Sequence, residues 1–284
     1  MPHRSDNRDF VEALARGLDI IRSFNEFKPI RTVSDLSAEL NLARPTVHRI
    51  MLTLEQLGYV VQTDDGYYLS AKVVELGFGY IATRGFYGAA KPHMEKLAAR
   101  IDQAISLTEL VDSDVVYIGR IEVPKVVAYN VALGQRLPAH STSPGRLLLS
   151  SLSDEEVERR LNMPSLANVK PMITLSIDQL KVEIAKIRKQ GWAMTDQTMS
   201  LGYRAAAAPI YDATNTMVAA IGIVVHGSEL SPEQLATDVL PLLVDTASKI
   251  TQDFVTMAKI PRKRIAPIEP GYVTFAAGAS STYA

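Results

Sequence analysis

The sequence contains no cysteine, so it can form neither a disulfide framework nor a thiolate metal site. It also lacks an apolar run long enough to span a bilayer, and its opening stretch, MPHRSDNRDF, has no apolar signal core. The formal net charge of −1 gives no global attraction to nucleic acid or to anionic lipid. We therefore expect a cytoplasmic protein without a membrane partner.

Motifs typical of enzymes are absent as well. There is no G-x-S-x-G nucleophile elbow, no glycine-rich phosphate loop, and no pair of histidines at metal-ligand spacing. His140, Ser143 and Asp196 would form a triad only if the fold brought them together, and satisfied polar side chains are the commoner explanation. The sequence thus predicts no catalytic residue, no metal and no cofactor.

Residues 32–57 have the pattern of two short amphipathic helices joined by a tight turn. Thr32 is a predicted N-cap with Asp35 in the first turn, and Asn41 tolerates the left-handed conformation that such a turn needs. Pro45 suits the first turn of the second helix. That helix carries an apolar stripe at helical spacing, formed by Val47, Ile50, Met51, Leu54 and Leu57.

Polar side chains crowd the other face of the second helix, mainly in its N-terminal half. They are Arg44, Thr46, His48, Arg49 and Thr53. This is the layout of a helix-turn-helix whose second helix reads bases in the major groove, because arginine bonds guanine and threonine contacts phosphate or a thymine methyl. An ordinary two-helix corner with a solvated face has the same pattern.

A hairpin is predicted directly after these helices. Gly58 ends the second helix, and two strand-like runs, 59–61 and 67–69, flank an Asp-Gly pair. Together these elements predict a winged helix-turn-helix, although the acidic tip makes the wing a poor phosphate contact. Residues 1–75 contain nine Lys and Arg against eleven Asp and Glu, a net of −2, which is unusual for a DNA-binding domain.

Three further stretches carry a family resemblance: FVEALARGLDIIRSF (10–24), LEQLGYV (54–60) and GQRLPAHSTSPGRLLLSSL (134–152). With the helix-turn-helix, they resemble IclR-type transcriptional regulators over residues 10–257, and most of all the β-ketoadipate group, which controls aromatic-acid catabolism. The resemblance implies a homodimer or homotetramer on double-stranded operator DNA. The predicted DNA-binding residues are Thr32, Ser34, Arg44, Pro45, Thr46, His48 and Arg49.

The predicted fold class is α+β, with a winged helix-turn-helix over 1–70, a linker helix over 71–90 and an effector domain over 91–258. The resemblance implies that the effector domain is GAF-like. A first helix from about Asp9 to Asn25 should pack Phe10, Leu14, Leu18 and Ile21 under the second helix of the helix-turn-helix. A disordered tail is predicted for 259–284, where prolines break helix and Arg262, Lys263 and Arg264 form a basic cluster.

In the effector domain, the patterns predict a helix over Pro92–Ile101, strands over Ile105–Val111, Val115–Arg120 and Val126–Val131, and a short helix over Pro144–Ser151. Capping signals at Ser153 and Ser176 open two more helices. Strands follow over Trp192–Thr195, Ala205–Tyr211 and Met217–Val225, the last an apolar run expected at the centre of the sheet. Ser231-Pro232 opens a long terminal helix.

The resemblance also implies a ligand pocket. Its predicted residues are Tyr129, Arg136, Leu137, His140, Ser143, Pro144, Gly145, Arg146, Thr195, Ala205, Gly222 and Val224. Relatives that bind small oxo-acids carry Asp, Cys and two Ser at the last four positions, so the less polar lining here favours an aromatic acid. Arg136, His140 or Arg146, or backbone N–H groups of the helix N-terminus that begins at Pro144-Gly145, would hold its carboxylate.

Two functions from other classes remain open at this point. One is a small-molecule hydrolase fused to a helical dimerisation module, which needs a nucleophile with a base in hydrogen-bond reach. The other is a sensory module whose helix-turn-helix binds protein rather than DNA. A steep salt dependence of binding would favour DNA.

Overall fold

The structure, a computed structural model, describes residues 9–25, 27–84, 86–125, 129, 131–167 and 169–259. Three helices and a hairpin make up the N-terminal unit. They are α1 (Glu12–Arg22), α2 (Val33–Leu40), α3 (Arg44–Gln56), β1 (Val60–Thr63) and β2 (Gly66–Leu69). The two strands pair antiparallel, so the predicted winged helix-turn-helix is confirmed.

Local sequence signals set the ends of these elements. Thr32 and Asp35 form a reciprocal capping box at the start of α2, which satisfies two otherwise free N–H groups. Asn41 adopts the left-handed conformation, with a φ of 53°, and turns the chain into α3. Because the helix-turn-helix is built from such short-range contacts, its geometry follows closely from the sequence.

The core of this unit is small, and two expectations about it are wrong. It is formed by Ile20, Leu36, Val47, Met51, Leu54, Val60 and Tyr67. On the predicted buried face of α1, Leu14 is 64% exposed and Leu18 is 46% exposed, and of this face only Ile21 packs on the core, next to the buried Ile20. Gly17 faces Ile50 of α3. Leu57 is also exposed, at 52%, since it lies beyond the last turn of α3.

Two helices follow the hairpin: α4 (Val73–Arg84) and α5 (Phe86–Ile101). The expected helix start at Pro92 is wrong, because α5 begins six residues earlier and Pro92 lies inside it. Ala90 and Met94, on either side of Pro92, are buried in the larger core, and this packing holds the helix continuous through the proline.

The C-terminal unit has a six-stranded sheet in the order β5-β4-β3-β8-β7-β6, and all of its pairings are antiparallel. The strands are β3 (Ile105–Val111), β4 (Asp114–Ile121), β5 (Arg136–Pro138), β6 (Ala193–Asp196), β7 (Tyr203–Tyr211) and β8 (Met217–His226). As predicted, β8 lies near the centre of the sheet. The expected strand over Val126–Val131 is not found at Tyr129 or Val131, and its other residues lie outside the described chain.

Helices cover both faces of this sheet. One face packs on α5 and on the terminal helix α10 (Leu240–Lys259), and the other on α6 (Ser143–Leu149) and α8 (Ile177–Gln190). A further helix, α7 (Asp154–Leu161), packs on α8. The α+β class is confirmed, and the second face, which we call the α6 face, carries the candidate site.

The terminal helix begins as expected but is not uniform. Ser231 and Gln234 form a capping box at α9 (Pro232–Gln234), and a π-helical turn over Leu235–Val239 separates α9 from α10. The predicted disordered tail, apart from Lys259, lies outside the described residues.

Candidate DNA-reading surface and ligand cavity

The N-terminal half of α3 presents the polar face that the sequence predicts. Arg44, Pro45, His48 and Arg49 are exposed, and Thr46 is partly buried. Among the described residues, no carboxylate pairs with Arg44 or Arg49. Both guanidinium groups therefore project uncompensated positive charge from a helix whose other face is packed in the core.

The start of α2 is less favourable for phosphate than expected. The Thr32 hydroxyl donates to the Asp35 carboxylate at 2.7 Å and accepts from the Asp35 backbone N–H at 3.2 Å, so its bonding capacity serves the cap. The hydrogen bonds that the Thr32 hydroxyl and the Thr32 backbone N–H donate to the carboxylate lower the pKa of Asp35, which keeps a negative charge beside the hydroxyl. Ser34 is exposed in the first turn of α2.

In the C-terminal unit, a cavity opens between the α6 face of the sheet and the chain around α6. Its empty volume is about 370 Å³, part of which is open to solvent. It is lined by Tyr117, Tyr129, Leu137, Ser141, Thr142, Ser143, Pro144, Thr195, Thr198, Met199, Ser200, Tyr203, Arg204, Ala205 and Val224. Seven of the twelve predicted pocket residues therefore meet at one place.

Aromatic rings form one side of the cavity. The rings of Tyr129 and Tyr203 meet edge to face with centroids 5.2 Å apart, and the rings of Tyr203 and His226 meet in the same way at the same centroid distance. Burial raises the pKa of both Tyr117 and Tyr129, so their hydroxyls stay protonated hydrogen-bond donors. Such a wall accepts a flat ring and offers it polar edges.

Residues with hydroxyl groups also line the cavity, among them Ser141, Thr142 and Ser143. Ser143 is fully buried, and its Oγ has no hydrogen-bond partner among the described residues. A buried hydroxyl without a partner costs on the order of 1–3 kcal/mol. This cost is removed if a ligand in the cavity supplies the missing bond.

The other five predicted pocket residues do not line the cavity. Arg136 pairs with the buried Asp114 at 3.0 Å and also donates to the Val111 carbonyl. The Arg146 side chain donates to the His140 carbonyl at 2.8 Å. Burial lowers the pKa of His140, and the Arg146 charge lowers it further. Arg136 and Arg146 are thus bonded to the chain before α6, and none of these three side chains lines the cavity.

Two glycines and the helix terminus have structural roles as well. A side chain at Gly145 would place its Cβ 2.2 Å from the Ala139 carbonyl oxygen, so only glycine allows this close approach. The Gly145 N–H donates to the Thr142 hydroxyl at 3.1 Å, which removes it as a carboxylate donor. A Cβ at Gly222 would lie 3.2 Å from the Ala206 carbonyl oxygen.

Comparison with known proteins settles the family. Residues 13–64 match the model of the IclR helix-turn-helix domain, and residues 78–252 match that of the bacterial transcriptional regulator IclR C-terminal domain. The chain belongs to the IclR family. It is therefore a DNA-binding transcriptional regulator by descent, as the resemblance implied.

Several relatives align with most of the length of this chain. The Pca regulon regulatory protein of Pseudomonas putida is 31% identical over 83% of this chain and 81% of its own. The p-hydroxybenzoate hydroxylase transcriptional activator of Acinetobacter baylyi is 26% identical over 88% of this chain and 95% of its own. An IclR homologue from Microbacterium hydrocarbonoxydans, solved in complex with 4-hydroxybenzoate, is 25% identical, with a TM-score of 0.74, over 86% of this chain and 99% of its own.

The triad considered from the sequence is not assembled in this IclR-family fold. Asp196 pairs with Arg204 at 2.9 Å, and Ser143 Oγ has no partner among the described residues. His226 Nδ1 and Ser228 Oγ are 2.7 Å apart, but they are neighbours in a local turn. Among the described residues there is no group of three potential metal ligands, and no helix is both long and apolar enough to cross a membrane.

Sequence reasoning missed several lining residues. Tyr203 could have been found, because a period of two along β7 from Ala205 reaches it. Thr198, Met199 and Ser200 lie in the loop between β6 and β7, where no periodic pattern indicates a direction. Tyr117 follows a register shift between β3 and β4, which the sequence does not reveal.

Proposed function

We propose that this protein is a ligand-responsive regulator of aromatic-compound catabolism genes. It reads operator DNA with the N-terminal half of α3 and binds a small aromatic carboxylic acid in the cavity. The observation that carries the ligand proposal is the cavity itself, which is lined by tyrosines and by Ser143, whose buried hydroxyl has no hydrogen-bond partner among the described residues. Relatives whose names mention p-hydroxybenzoate or 4-hydroxybenzoate support the same ligand class.

The DNA proposal depends on where the positive charge lies. The N-terminal unit has no excess of basic residues, so binding cannot come from its overall charge. Arg44 and Arg49 instead concentrate charge on the exposed face of one helix, where a bidentate contact to guanine is worth about 1–3 kcal/mol. Specificity should therefore depend on a few side chains.

Exposed apolar surface supports a homodimer or homotetramer. Phe10 and Val11 lie just before α1, Leu14 and Leu18 lie on it, and Val74 and Leu76 lie on α4, all at least 40% exposed. Apolar stripes of this kind on a soluble protein usually mark a protein contact. A two-fold assembly would also place two α3 helices on a two-fold operator.

Regulation would follow from a difference in affinity. The acid can shift the placement of the two DNA-binding units only by as much as it prefers one arrangement over the other. The test is a titration of the full chain against its own upstream intergenic DNA at several salt concentrations, with and without a panel of aromatic acids. Specific, salt-sensitive binding that one acid alters is expected.

Each other outcome has a definite meaning. Specific binding that no acid changes would overturn the ligand class and leave the regulator. Absence of specific binding at low salt would overturn the DNA-reading role of α3 and favour a protein partner.

A further inference from the structure

The cavity presents a problem for an anionic ligand, because no charged side chain points into it among the described residues. Arg204 contributes to the lining, yet its neighbour Ala205 faces the cavity, so the Arg204 side chain lies on the opposite face of the sheet. There it bonds Asp196 and the carbonyls of Gly227 and Leu230. An unpaired carboxylate in a low-dielectric cavity is costly, so a cation close behind the wall is needed.

Arg120 is placed to be that cation. It lies on β4 in a cross-strand row with Ser106 on β3 and Gly222 on β8, and this row is on the α6 face. Its side chain is only 6% exposed. The guanidinium donates to Ser106 Oγ at 2.9 Å and to the backbone carbonyl of Tyr129 at 2.8 Å, directly behind a residue of the cavity wall.

Electrostatics connects Arg120 to the cavity interior. Burial is the main cause of the raised pKa of Tyr117 and the neighbouring Tyr129 adds to it, while the Arg120 charge acts in the opposite direction. A negative charge at the Tyr117 hydroxyl, which lines the cavity, is thus attracted by Arg120. The carboxylate that Arg120 now holds belongs to Glu122, whose side chain is 61% exposed.

We propose that Arg120 selects an anionic effector, and that the effector's carboxylate competes with Glu122 for the Arg120 guanidinium. This inference rests on the proposed function and adds the residue that recognises the acid. Glu122 can leave at small cost, because its side chain moves into water. The ring of the ligand then lies against Tyr129 with its charged end toward the row of Arg120 and Ser106.

The experiment compares an acid with its neutral analogue. Calorimetry on the full chain measures the affinities of 4-hydroxybenzoate and 4-hydroxybenzamide for the wild type, Arg120→Gln and Glu122→Gln. Arg120→Gln should weaken acid binding by roughly ten- to a hundredfold, the loss of one charge-assisted bond, and change amide binding much less. Glu122→Gln should strengthen acid binding several-fold, because the competing carboxylate is gone.

Arg188→Gln is the matched control. It removes an arginine of α8 that also bonds one carboxylate, that of Asp154, and two backbone carbonyls, but does not line the cavity. The ratio of acid affinity to amide affinity should stay at its wild-type value. An acid-selective loss in Arg188→Gln, and not in Arg120→Gln, would overturn the assignment.

The remaining outcomes separate this inference from the proposed function. Suppose that the wild type binds the acid and that Arg120→Gln keeps the wild-type ratio of acid affinity to amide affinity. Arg120 then does not select the charge, while the proposed function stands. If Arg120→Gln fails to fold, unchanged acid affinity in Glu122→Gln overturns the competition. If the wild type binds no aromatic acid, the ligand class fails and this inference fails with it.

Discussion

The reading face of α3 and the ligand cavity are built in opposite ways. Arg44 and Arg49 project from one exposed helix face and contact little of the protein, whereas the cavity is assembled from five strands, α6 and three connecting segments. Substitutions on α3 should therefore change binding without changing stability. Around the cavity, the same residues that shape the ligand site also hold the fold, so function and stability should be lost together.

The strongest test of this contrast is Gly145→Ala. The added Cβ would lie 2.2 Å from the Ala139 carbonyl oxygen and 2.4 Å from its Cα, and backbone atoms cannot move aside cheaply. We expect the free energy of unfolding to fall by about 3 kcal/mol or more, as for severe overpacking. Denaturant unfolding of the full chain measures this loss.

Gly88→Ala is the matched control for that prediction. Gly88 lies in α5, and no described heavy atom comes within 4 Å of a Cβ built there. Because alanine favours helix, this variant should gain roughly 0.5–1 kcal/mol. Equal losses in the two variants would show that the close approach at Gly145 is not what constrains the fold.

The second-largest effect is expected from a bulky side chain placed inside the cavity. Ala205→Trp projects an indole between Thr195 and Val224, its cross-strand neighbours in the lining. Loss of detectable effector binding is expected, with operator binding retained. Val182→Trp adds the same ring to the exposed side of α8, where 69% of Val182 is accessible, and should bind ligand normally. Unchanged ligand affinity in Ala205→Trp would mean that the ligand binds elsewhere.

On the other side of the contrast, Arg49→Ala should weaken operator binding by about 1–3 kcal/mol. Its stability should stay within about 0.5 kcal/mol of the wild type, because the side chain is exposed. Arg22→Ala, which removes the same charge from the end of α1, controls for general electrostatics. A similar loss from both variants, in fluorescence anisotropy with operator DNA, would argue against base reading by α3.

The same contrast explains what the sequence could predict. The helix-turn-helix depends on contacts within a few residues, such as the Thr32–Asp35 capping box and the left-handed Asn41, and these were visible. The predicted packing of α1 was wrong because that helix carries two apolar stripes, and either of them could face the core. The one containing Phe10, Leu14 and Leu18 is left exposed, whereas Ile20 is buried.

The cavity could be predicted only through the family resemblance, which identified some of its lining residues and missed others. Tyr129, Ser143 and Ala205 were placed correctly in its wall. Arg136, His140 and Arg146 were alternative candidates for a ligand carboxylate, but in the fold Arg136 pairs with Asp114 and Arg146 bonds the His140 carbonyl. Which partner an arginine takes depends on residues distant in sequence, and no local pattern encodes that choice.

The smallest predicted effect concerns pH and the loop before α6. Burial lowers the pKa of the half-buried His140 in the folded chain, and the Arg146 charge lowers it further. The folded form thus binds a proton less readily than the unfolded form. The contribution of His140 to the free energy of unfolding is present in full above the unfolded pKa of about 6.5. It declines as the pH falls below that value, by at most about 1.4 kcal/mol per pH unit.

The variant His140→Gln tests this prediction because glutamine cannot take up the proton. Between about pH 7.5 and 5.5, the Tm of His140→Gln should therefore fall less than that of the wild type. A wild-type decrease no larger than that of His140→Gln would mean that His140 titrates freely, and that this part of the loop is as open to water as the face of α3.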